Sequence, residues 1–397
     1  MTALLPVDDA RERLLSLAAQ CDEETLAIGN ADGRWLARPV RARRSQPPAD
    51  LSAMDGYAIR FADMPGPWRV IGESAAGRPF GKTVGQKETV RIFTGAQMPE
   101  GADTVLVQED TDSDGAQVRL TGEGPGEPGR HVRALGGDFS KGDAILPAGS
   151  FLNSRRIGLM ISAGHDDAVV RQRPKLALIS TGDELALPGK AVDDPAVIPA
   201  SNGPALIAQL AHLPVQISDH GIVADDLEAL AKVLERARKA DIIVTIGGAS
   251  VGDHDLVQKA LRAAGARIDF WRIAMKPGKP LMAGTLGKAV VLGLPGNPAS
   301  AYVTAKLFLE PLIAKMGGAA DPGPAFVPAM LASSLPATGD REEYLRGHWT
   351  DGGVSPLDGQ QSSLIRALAD AELLIRRSAA ASEARPGDHI EILGLTS

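Results

Sequence analysis

The middle of the chain alternates between short, almost wholly apolar segments and amphipathic segments with helical spacing. The apolar segments include KLALIS (175–180), DIIVTI (241–246) and KAVVLGL (288–294), and one amphipathic segment is DDLEALAKVLERARK (225–239). Strands without a polar face are typical of a parallel sheet that helices cover on both sides. The pattern therefore predicts an α/β domain from residue 174 to 322.

The segments on either side have other patterns. Apolar residues at helical spacing predict helices over 7–20 and 154–163, and these two helices are expected to pack beside each other. Between them, residues 46–139 contain short β-type runs separated by Gly and Pro turns, which predict an inserted β domain. A Gly/Pro-rich linker at 317–324 precedes a second β-rich region. The fold class is therefore α/β plus β, in several domains.

Composition narrows the classes of function. The chain has 397 residues and a formal net charge of −7, with no basic stretch beyond RARR at 41–44. Nucleic-acid binding requires a basic face that neutralises phosphates, so this function is not expected. Cys21 is the only cysteine, which excludes an intramolecular disulfide and a thiolate metal cluster. The first residues do not resemble a signal peptide and no apolar run reaches the length of a membrane span, so a cytoplasmic protein with no membrane partner is expected.

Chemically unusual loops follow the predicted strands. In an open α/β sheet, ligands bind outside the carboxyl ends of the strands. Four loops rich in Gly, Pro or charge occur at such ends: TGDEL (181–185), GGASVGDHD (247–255), KPGKP (276–280) and LPGNP (294–298). Their coincidence on one edge, rather than any single motif, indicates a binding site.

Two residue types in these loops suit an anion. Gly247, Gly248 and Gly252 allow backbone N–H groups to approach a ligand closely. Lys276 and Lys279 place two cations on one short turn, as phosphate or another oxyanion requires.

The acids of the same loops suit a divalent cation. Asp183, Glu184, Asp253 and Asp255 are hard oxygen ligands, and Mg²⁺ binds through one or two such carboxylates together with substrate phosphates. The loops together favour metal-assisted chemistry at a phosphoryl group of a nucleotide-bearing substrate.

Each of these residues also has a purely structural interpretation. Asp253 or Asp255 could cap a helix that begins at residue 256, and Asp225 and Asp226 stand where helix caps usually stand. His254 could be a surface residue rather than a metal ligand, and a KPGKP turn can be merely solvated.

Ordered motifs over nearly the whole chain resemble one family, the MoeA-type molybdopterin molybdenumtransferases, which are related to the E domain of gephyrin. The matching motifs are SAMDGYA (52–58), TGAQMPEGADTVLVQE (94–109), VRALGGDFSKG (132–142), STGDEL (180–185), SN (201–202), GGASVGDHD (247–255), KPGKP (276–280), GLPGNP (293–298) and REEYLRG (341–347).

The resemblance implies a fold of four parts and an elongated homodimer whose active cleft is shared between subunits. The implied parts are an extended helical domain (1–45 and 140–173), an inserted β domain (46–139), an α/β molybdopterin-binding domain (174–322) and a C-terminal β-barrel domain (323–397).

The resemblance also implies a reaction. Family members act on adenylylated molybdopterin with the help of Mg²⁺, take up molybdate, break the phosphoanhydride and release AMP, and leave molybdenum on the dithiolene sulfurs. The implied partners are a molybdopterin adenylyltransferase, which supplies the substrate, and molybdoenzymes, which accept the finished cofactor.

Acidic motif positions imply catalytic and metal-binding residues. Asp255, with Ser250 before it, matches the positions that handle the activated substrate. Asp183 and Glu184 match the acidic turn and, with Asp255, form the implied metal-binding set, while Asp225 matches an acid that the family often keeps.

Other motif positions imply substrate contacts. Lys276 and Lys279 match the basic turn at the anion, Arg346 and Ser362 match positions linked to molybdate, and Asn202 matches a substrate contact. The remaining implied substrate-binding residues belong to the glycine- and proline-rich loops: Thr181, Gly247, Gly248, Gly252, Pro295, Gly296, Asn297 and Pro298.

Two acids outside the α/β domain, Asp55 and Asp138, match catalytic positions that would reach the partner's cleft. Structural alternatives exist here too, because Asp55 could shape a turn, Asp138 could order a loop, and Arg346 could pair with Glu342 or Glu343.

The chain departs from the family pattern at three places. Gly137 and Ala200 stand where the family often has acids, and the segment around Ser362 matches its motif loosely. The first two departures affect the expected geometry of metal and substrate contacts.

Two other functions compete with molybdenum insertion. An adenylyltransferase that makes AMP-molybdopterin shares this α/β domain, but the SAMDGYA and C-terminal regions argue against it. A non-catalytic scaffold, of the kind gephyrin provides at synapses, is disfavoured by the intact acids and lysines on one edge.

Overall fold

The structure, a computed structural model, describes residues 4–190, 193–247 and 256–395. At its centre is a six-stranded sheet in the order Gln216–Val223, Lys175–Thr181, Ile242–Ile246, Ala289–Leu294, Pro280–Leu286 and Arg267–Arg272. The first four strands are parallel, and Pro280–Leu286 is antiparallel to both of its neighbours. Every residue of Ile242–Ile246 and Ala289–Leu294 is buried, which explains their unbroken apolar sequence.

Helices cover both faces of this sheet, as the alternating pattern predicts. One face carries Asn202–Gln209 and a long helix made of Pro298–Thr304, the π-helical turn Ala305–Leu309 and Glu310–Met316. The other face carries Leu227–Ala237 and the helix Leu256–Ala263. No helix in the three described ranges is long and apolar enough to cross a membrane.

The N-terminal helix, Val7–Ser16, does not pack where the sequence predicts. Its buried Val7, Ala10 and Leu14 join the core of the central sheet, whereas Met160 of the helix Ser154–Ser162 belongs to a separate core. The prediction that these two helices pack together is wrong. Amphipathic spacing identifies the buried face of a helix but not its partner, and here the partner is the long helix that begins at Pro298 and ends at Met316, within the core of the central sheet.

The region between residues 23 and 173 contains two small antiparallel pairings and an inserted sheet. Glu23–Ala27 pairs with Asp167–Arg171, and Val40–Arg41 pairs with Ala144–Leu146. The inserted sheet has six strands in the order Thr104–Val107, Gly56–Ile59, Glu88–Ile92, Trp68–Ser74, Gln117–Leu120 and Thr111–Ser113. A further pairing joins Leu51–Ser52 to Val132–Arg133. Short 3₁₀ turns occur at Ile28–Asn30, Phe61–Asp63 and Gln108–Asp110.

The C-terminal region forms one sheet that closes on itself. Its strands follow the order Glu342–Thr350, Leu373–Arg377, His389–Gly394 and Val327–Met330, with Gly353–Pro356 paired to the other side of Glu342–Thr350 and the short helix Arg366–Ala369 between strands. A bridge between Leu331 and Val354 joins the two ends of the sheet.

A two-residue strand of the α/β region extends the C-terminal sheet. Met275 and Lys276 pair in parallel with Glu342 and Glu343. The backbone N–H of Glu342 also donates to the carbonyl of Ala274, at 2.9 Å. The basic turn of the central domain is therefore tied directly to the C-terminal strand that begins with the REEYLRG motif.

Candidate functional site

A cleft of about 1300 Å³ lies at the carboxyl ends of the central parallel strands and is also lined by the C-terminal region. All four loops singled out in the sequence contribute to its wall, the GGASVGDHD loop through Gly247, and so does the strand pair Leu185–Ala186 and Ile198–Pro199. Sequence-predicted residues that line it are Thr181, Glu184, Asn202, Asp225, Gly247, Lys276, Lys279, Pro295, Gly296, Asn297, Pro298 and Ser362. These segments are distant in sequence and meet because the parallel strands that precede them end at one edge of the sheet.

One wall of the cleft is acidic. Glu184 and Asp225 line it, and a carboxylate oxygen of Asp183 accepts a hydrogen bond from the backbone N–H of Asp225, at 3.0 Å. Burial, followed by the charges of Asp183 and Glu184, raises the pKa of the Asp225 carboxyl. Gly182 in this turn has a φ of +146°, a backbone conformation that favours glycine.

The acidic wall suits a cation that shares its ligands with a substrate. The raised pKa of Asp225 reflects its burial first and then the charges of Asp183 and Glu184, and a divalent ion bound there would offset that negative charge. Within the described ranges, however, no three His, Cys, Asp or Glu side chains are grouped closely enough to hold a metal on their own. The arrangement therefore fits Mg²⁺, which takes one or two carboxylates and completes its shell with phosphate and water.

Another part of the wall is basic. Arg272, Lys276 and Lys279 line it, all on the segment that leads to the C-terminal region, and Arg341 approaches from that region. The turn between the two lysines contains Gly278, whose φ of +108° favours glycine. Four cations and two carboxylates line the same cleft, an arrangement that suits an anion bridged to a metal.

The loops after Ile242–Ile246 and Ala289–Leu294 lie close to each other and to the end of Lys175–Thr181. Gly247 has a φ of +91°, and a Cβ on it would lie 2.4 Å from the carbonyl oxygen of Thr181. The side-chain amide of Asn202 donates to the carbonyl of Gly296 at 2.6 Å, which fixes the LPGNP loop. Asn202 thus has a structural task at the cleft besides any contact with substrate.

The C-terminal region contributes the loop Gln360, Gln361, Ser362 and Ser363 to the cleft. The backbone N–H of Ala299 donates to the carbonyl of Ser362 at 3.2 Å, so this loop also contacts the helix that follows LPGNP.

Arg346 holds that loop from behind rather than lining the cleft. Its side chain is fully buried, and Nη2 donates to the carbonyls of Gly359 (2.9 Å) and Gln361 (3.2 Å). Gln360 completes the clamp, because its amide donates to the Arg346 carbonyl and accepts from the Arg346 N–H. In the described part of the chain, Nε and Nη1 of Arg346 are buried without a hydrogen-bond partner. Burial lowers the pKa of this guanidinium.

Two predicted acids lie away from the cleft within one chain. Asp55 is in the inserted β sheet region, where it accepts hydrogen bonds from the backbone N–H (2.7 Å) and hydroxyl (2.8 Å) of Thr94. These bonds, with a smaller contribution from Arg91, lower the pKa of Asp55. Asp138 lies in a loop, and its own backbone N–H donates to the carbonyl of Gln46.

Several predicted residues lie outside the described ranges. These are Gly248, Ser250, Gly252 and Asp255, together with Asp253 and His254 of the same loop. Their roles remain predictions from the sequence.

The cleft also contains residues that the sequence did not single out. Arg272 ends a predicted strand and Arg341 begins the REEYLRG motif, so both could have been found by asking which charges flank the strand-end loops. Gln360, Gln361 and Ser363 gave no comparable signal. Ala200, where the family often has an acid, lines the cleft, so the acidic wall depends on Asp183, Glu184 and Asp225.

Comparisons with known proteins agree along the whole chain. Three family models match in order: the MoeA N-terminal region (domain I and II) at 5–164, a probable molybdopterin binding domain at 177–315, and the MoeA C-terminal region (domain IV) at 328–395.

Individual relatives agree with these models. A molybdopterin molybdenumtransferase from Nostoc sp. is 37% identical over 85% of this chain and 80% of its own length. One from Haemophilus influenzae is 35% identical over 79% of this chain and 78% of its own length. A crystal structure of a molybdopterin biosynthesis MoeA protein from Pyrococcus horikosii superposes with a TM-score of 0.82 at 28% identity, covering 100% of both chains. With these matches, and with the acidic and basic walls meeting at the sheet edge, the chain belongs to the molybdopterin molybdenumtransferase family of enzymes.

Proposed function

We propose that this transferase of molybdenum cofactor biosynthesis inserts molybdenum from molybdate into adenylylated molybdopterin and releases AMP. The observation that carries the proposal is a single cleft lined by both Glu184 and Asp225 and by Lys276 and Lys279. A diphosphate that joins a nucleotide to a pterin needs both walls, because the cations bind its oxygens and the carboxylates hold a metal that bridges to it.

Breaking the phosphoanhydride consumes one water and frees AMP. Exchange of two molybdate oxygens for the two dithiolene sulfurs releases two waters, whose four protons come from the two thiols and from two solvent protons. Bound Mg²⁺ would supply charge neutralisation at the phosphates, held by Glu184 and Asp183 with Asp255 from the adjoining loop. Asp225, whose pKa is raised by burial and by these acids, holds a proton more readily than an ordinary aspartate and can share it with a departing oxygen.

Molybdate is a substrate of this reaction and also an oxyanion. The basic turn and Ser362 line one side of the cleft, and Arg346 lies directly behind the loop that carries Ser362. A buried guanidinium whose Nε and Nη1 lack partners within the described residues adds positive potential there. These contacts support molybdate binding beside the KPGKP turn.

The proposal includes a homodimer in the cytoplasm. Asp55 and Asp138 do not reach the cleft of their own chain, and their motif positions match catalytic acids of the family. A second copy that placed them at the cleft would give both acids a catalytic task.

The test uses purified protein, Mg²⁺ and AMP-molybdopterin, with AMP measured by chromatography. AMP release that requires molybdate supports the proposal, and loss of that release in Glu184→Gln places the acid in the reaction. Pyrophosphate release from ATP and molybdopterin would instead identify an adenylyltransferase. Tight pterin binding with no release of either product would indicate a scaffold and would contradict the proposal.

A further inference from the structure

Lys276 of the basic wall is held by a carboxylate from the C-terminal region. Its Nζ lies 3.0 Å from Oε1 of Glu343, an ion pair between residues 67 positions apart. Half of the Lys276 side chain is exposed, and it lines the cleft. Glu343 is only 18% exposed and does not line the cleft. The carboxylate therefore stands behind the lysine, on the side away from any ligand.

The backbone fixes this arrangement. Lys276 and Glu343 are paired neighbours of two parallel strands, and paired residues project their side chains on the same side of a sheet. The adjacent Glu342 projects to the other face, where it binds Arg376 at 2.8 Å and accepts a hydrogen bond from the Tyr344 hydroxyl. Two consecutive glutamates thus serve different cations, and Glu343 is the one directed at the cleft lysine.

We infer that Glu343 is a positioning residue: it holds Lys276 at the wall of the cleft and competes with a bound oxyanion for the ammonium group. The ammonium group has three N–H donors and can contact the carboxylate and an anion together, but the carboxylate takes up part of its hydrogen-bonding capacity and positive charge, so less of both is available to the anion. Glu343 therefore weakens anion binding at Lys276 and favours release of the anionic product. The inference rests on the proposed function only in naming molybdate as the oxyanion.

A double-mutant cycle tests the inference with molybdate as the probe and calorimetry as the measurement. Glu343→Gln should lower the molybdate Kd by about two- to five-fold, the range expected for removing a partly exposed ion-pair partner. Lys276→Gln should raise the Kd, and adding Glu343→Gln to it should cause no further change, because the two residues act through one contact. Glu343→Asp, which keeps the charge, should retain the wild-type Kd.

A matched control excludes a general charge effect. Glu383→Gln removes an exposed carboxylate of the same region, 3.8 Å from Arg385 and away from the cleft, and should leave the Kd unchanged. An unchanged Kd in Glu343→Gln, an equal gain in the Lys276→Gln background, or no measurable molybdate binding by the wild type would each overturn the inference.

The result is separable from the proposed function. Coupling between Lys276 and Glu343 without molybdate-dependent AMP release would contradict the proposed function but support the role of the ion pair. Normal AMP release without coupling would support the proposed function but contradict the role of the ion pair.

Discussion

The guanidinium of Arg376 lies 3.0 Å from the carboxylate of Asp8, which joins the C-terminal sheet to the first turn of the N-terminal helix. The same guanidinium contacts Glu342 (2.8 Å) and Glu391 (3.3 Å) and lies over the ring of Phe326. One largely buried cation therefore neutralises carboxylates from three separate segments.

Replacing Arg376 with Gln should destabilise the protein, because three carboxylates would remain together without their cation. Breaking a buried ion pair by removing one partner costs about 3–5 kcal/mol, and partial exposure here places the expected loss at about 2–3 kcal/mol of unfolding free energy. Denaturant unfolding followed by circular dichroism measures it. Arg385→Gln replaces an arginine that is 79% exposed and forms a 3.8 Å ion pair with Glu383, and it should change the same quantity by less than about 0.5 kcal/mol. Equal effects of the two variants would show that Arg376 is not a structural link.

Asp225 should make stability depend on pH and on a divalent cation. Its folded-state pKa is raised, so the native protein disfavours the carboxylate and loses stability as pH rises through that pKa. Asp225→Asn should therefore raise the thermal midpoint near neutral pH. That gain should shrink as pH falls through the raised pKa towards the ordinary aspartate value of about 3.9.

Mg²⁺ with AMP should raise the midpoint of the wild type more than that of Asp225→Asn, since a cation relieves the repulsion that the variant lacks. The control is Asp226→Asn, because Asp226 caps the helix Leu227–Ala237 through the N–H of Ala229 and Asn caps equally well. If Asp226→Asn shows the same pH-dependent gain in thermal midpoint, the gain comes from removing negative charge at the start of the helix and not from the cleft.

Sequence patterns predicted the strand-end loops well, and the reason is geometric. Parallel strands bring their carboxyl ends to one edge, so TGDEL, KPGKP and LPGNP had to meet once the strands were recognised. The ion pair between Lys276 and Glu343 could not be predicted in this way, because it depends on a two-residue strand joining another domain.

Two further features also depend on tertiary structure. The N-terminal helix was predicted to run over 7–20 and to pack on the helix at 154–163, yet it ends at Ser16 and packs on the helix Glu310–Met316 in the core of the central sheet. Arg346 was predicted from its motif as a molybdate contact, but only the structure shows it buried behind the loop. Periodicity identifies which face is buried and does not identify what buries it.

Arg346→Lys should loosen the cleft loop while preserving the charge. Lysine cannot reproduce the fork that reaches the carbonyls of Gly359 and Gln361, so the loop that carries Ser362 should open more often. Hydrogen exchange of peptides covering 357–365 should become faster, and AMP release should fall by about ten-fold or more.

The matched control is Arg377→Lys. Arg377 is also buried, also has an Nη1 without a partner among the described residues, and binds the carbonyl of Ser382 in another loop. Its variant should lose comparable stability but leave exchange at 357–365 and AMP release close to wild type. Slow exchange at 357–365 in Arg346→Lys, equal to that of wild type, would contradict the role of Arg346 as the loop's clamp.

The spacing of the two cleft lysines should depend on Gly278. This residue has a φ of +108°, and a Cβ on it would lie 2.6 Å from Cγ2 of Thr304, a residue with no exposed surface. Gly278→Ala should therefore cost the left-handed strain of about 1–2 kcal/mol and a steric term in addition, and it should shift Lys276 and Lys279 relative to each other. Gly287→Ala is the control, because Gly287 also has a positive φ, +63°, but open space around its Cβ position. Thermal unfolding should show a larger loss at Gly278, and molybdate affinity should fall only there. Equal losses of thermal stability in both variants, with unchanged molybdate affinity, would contradict this prediction. They would show that Gly278 avoids backbone strain only and that its packing against Thr304 does not matter.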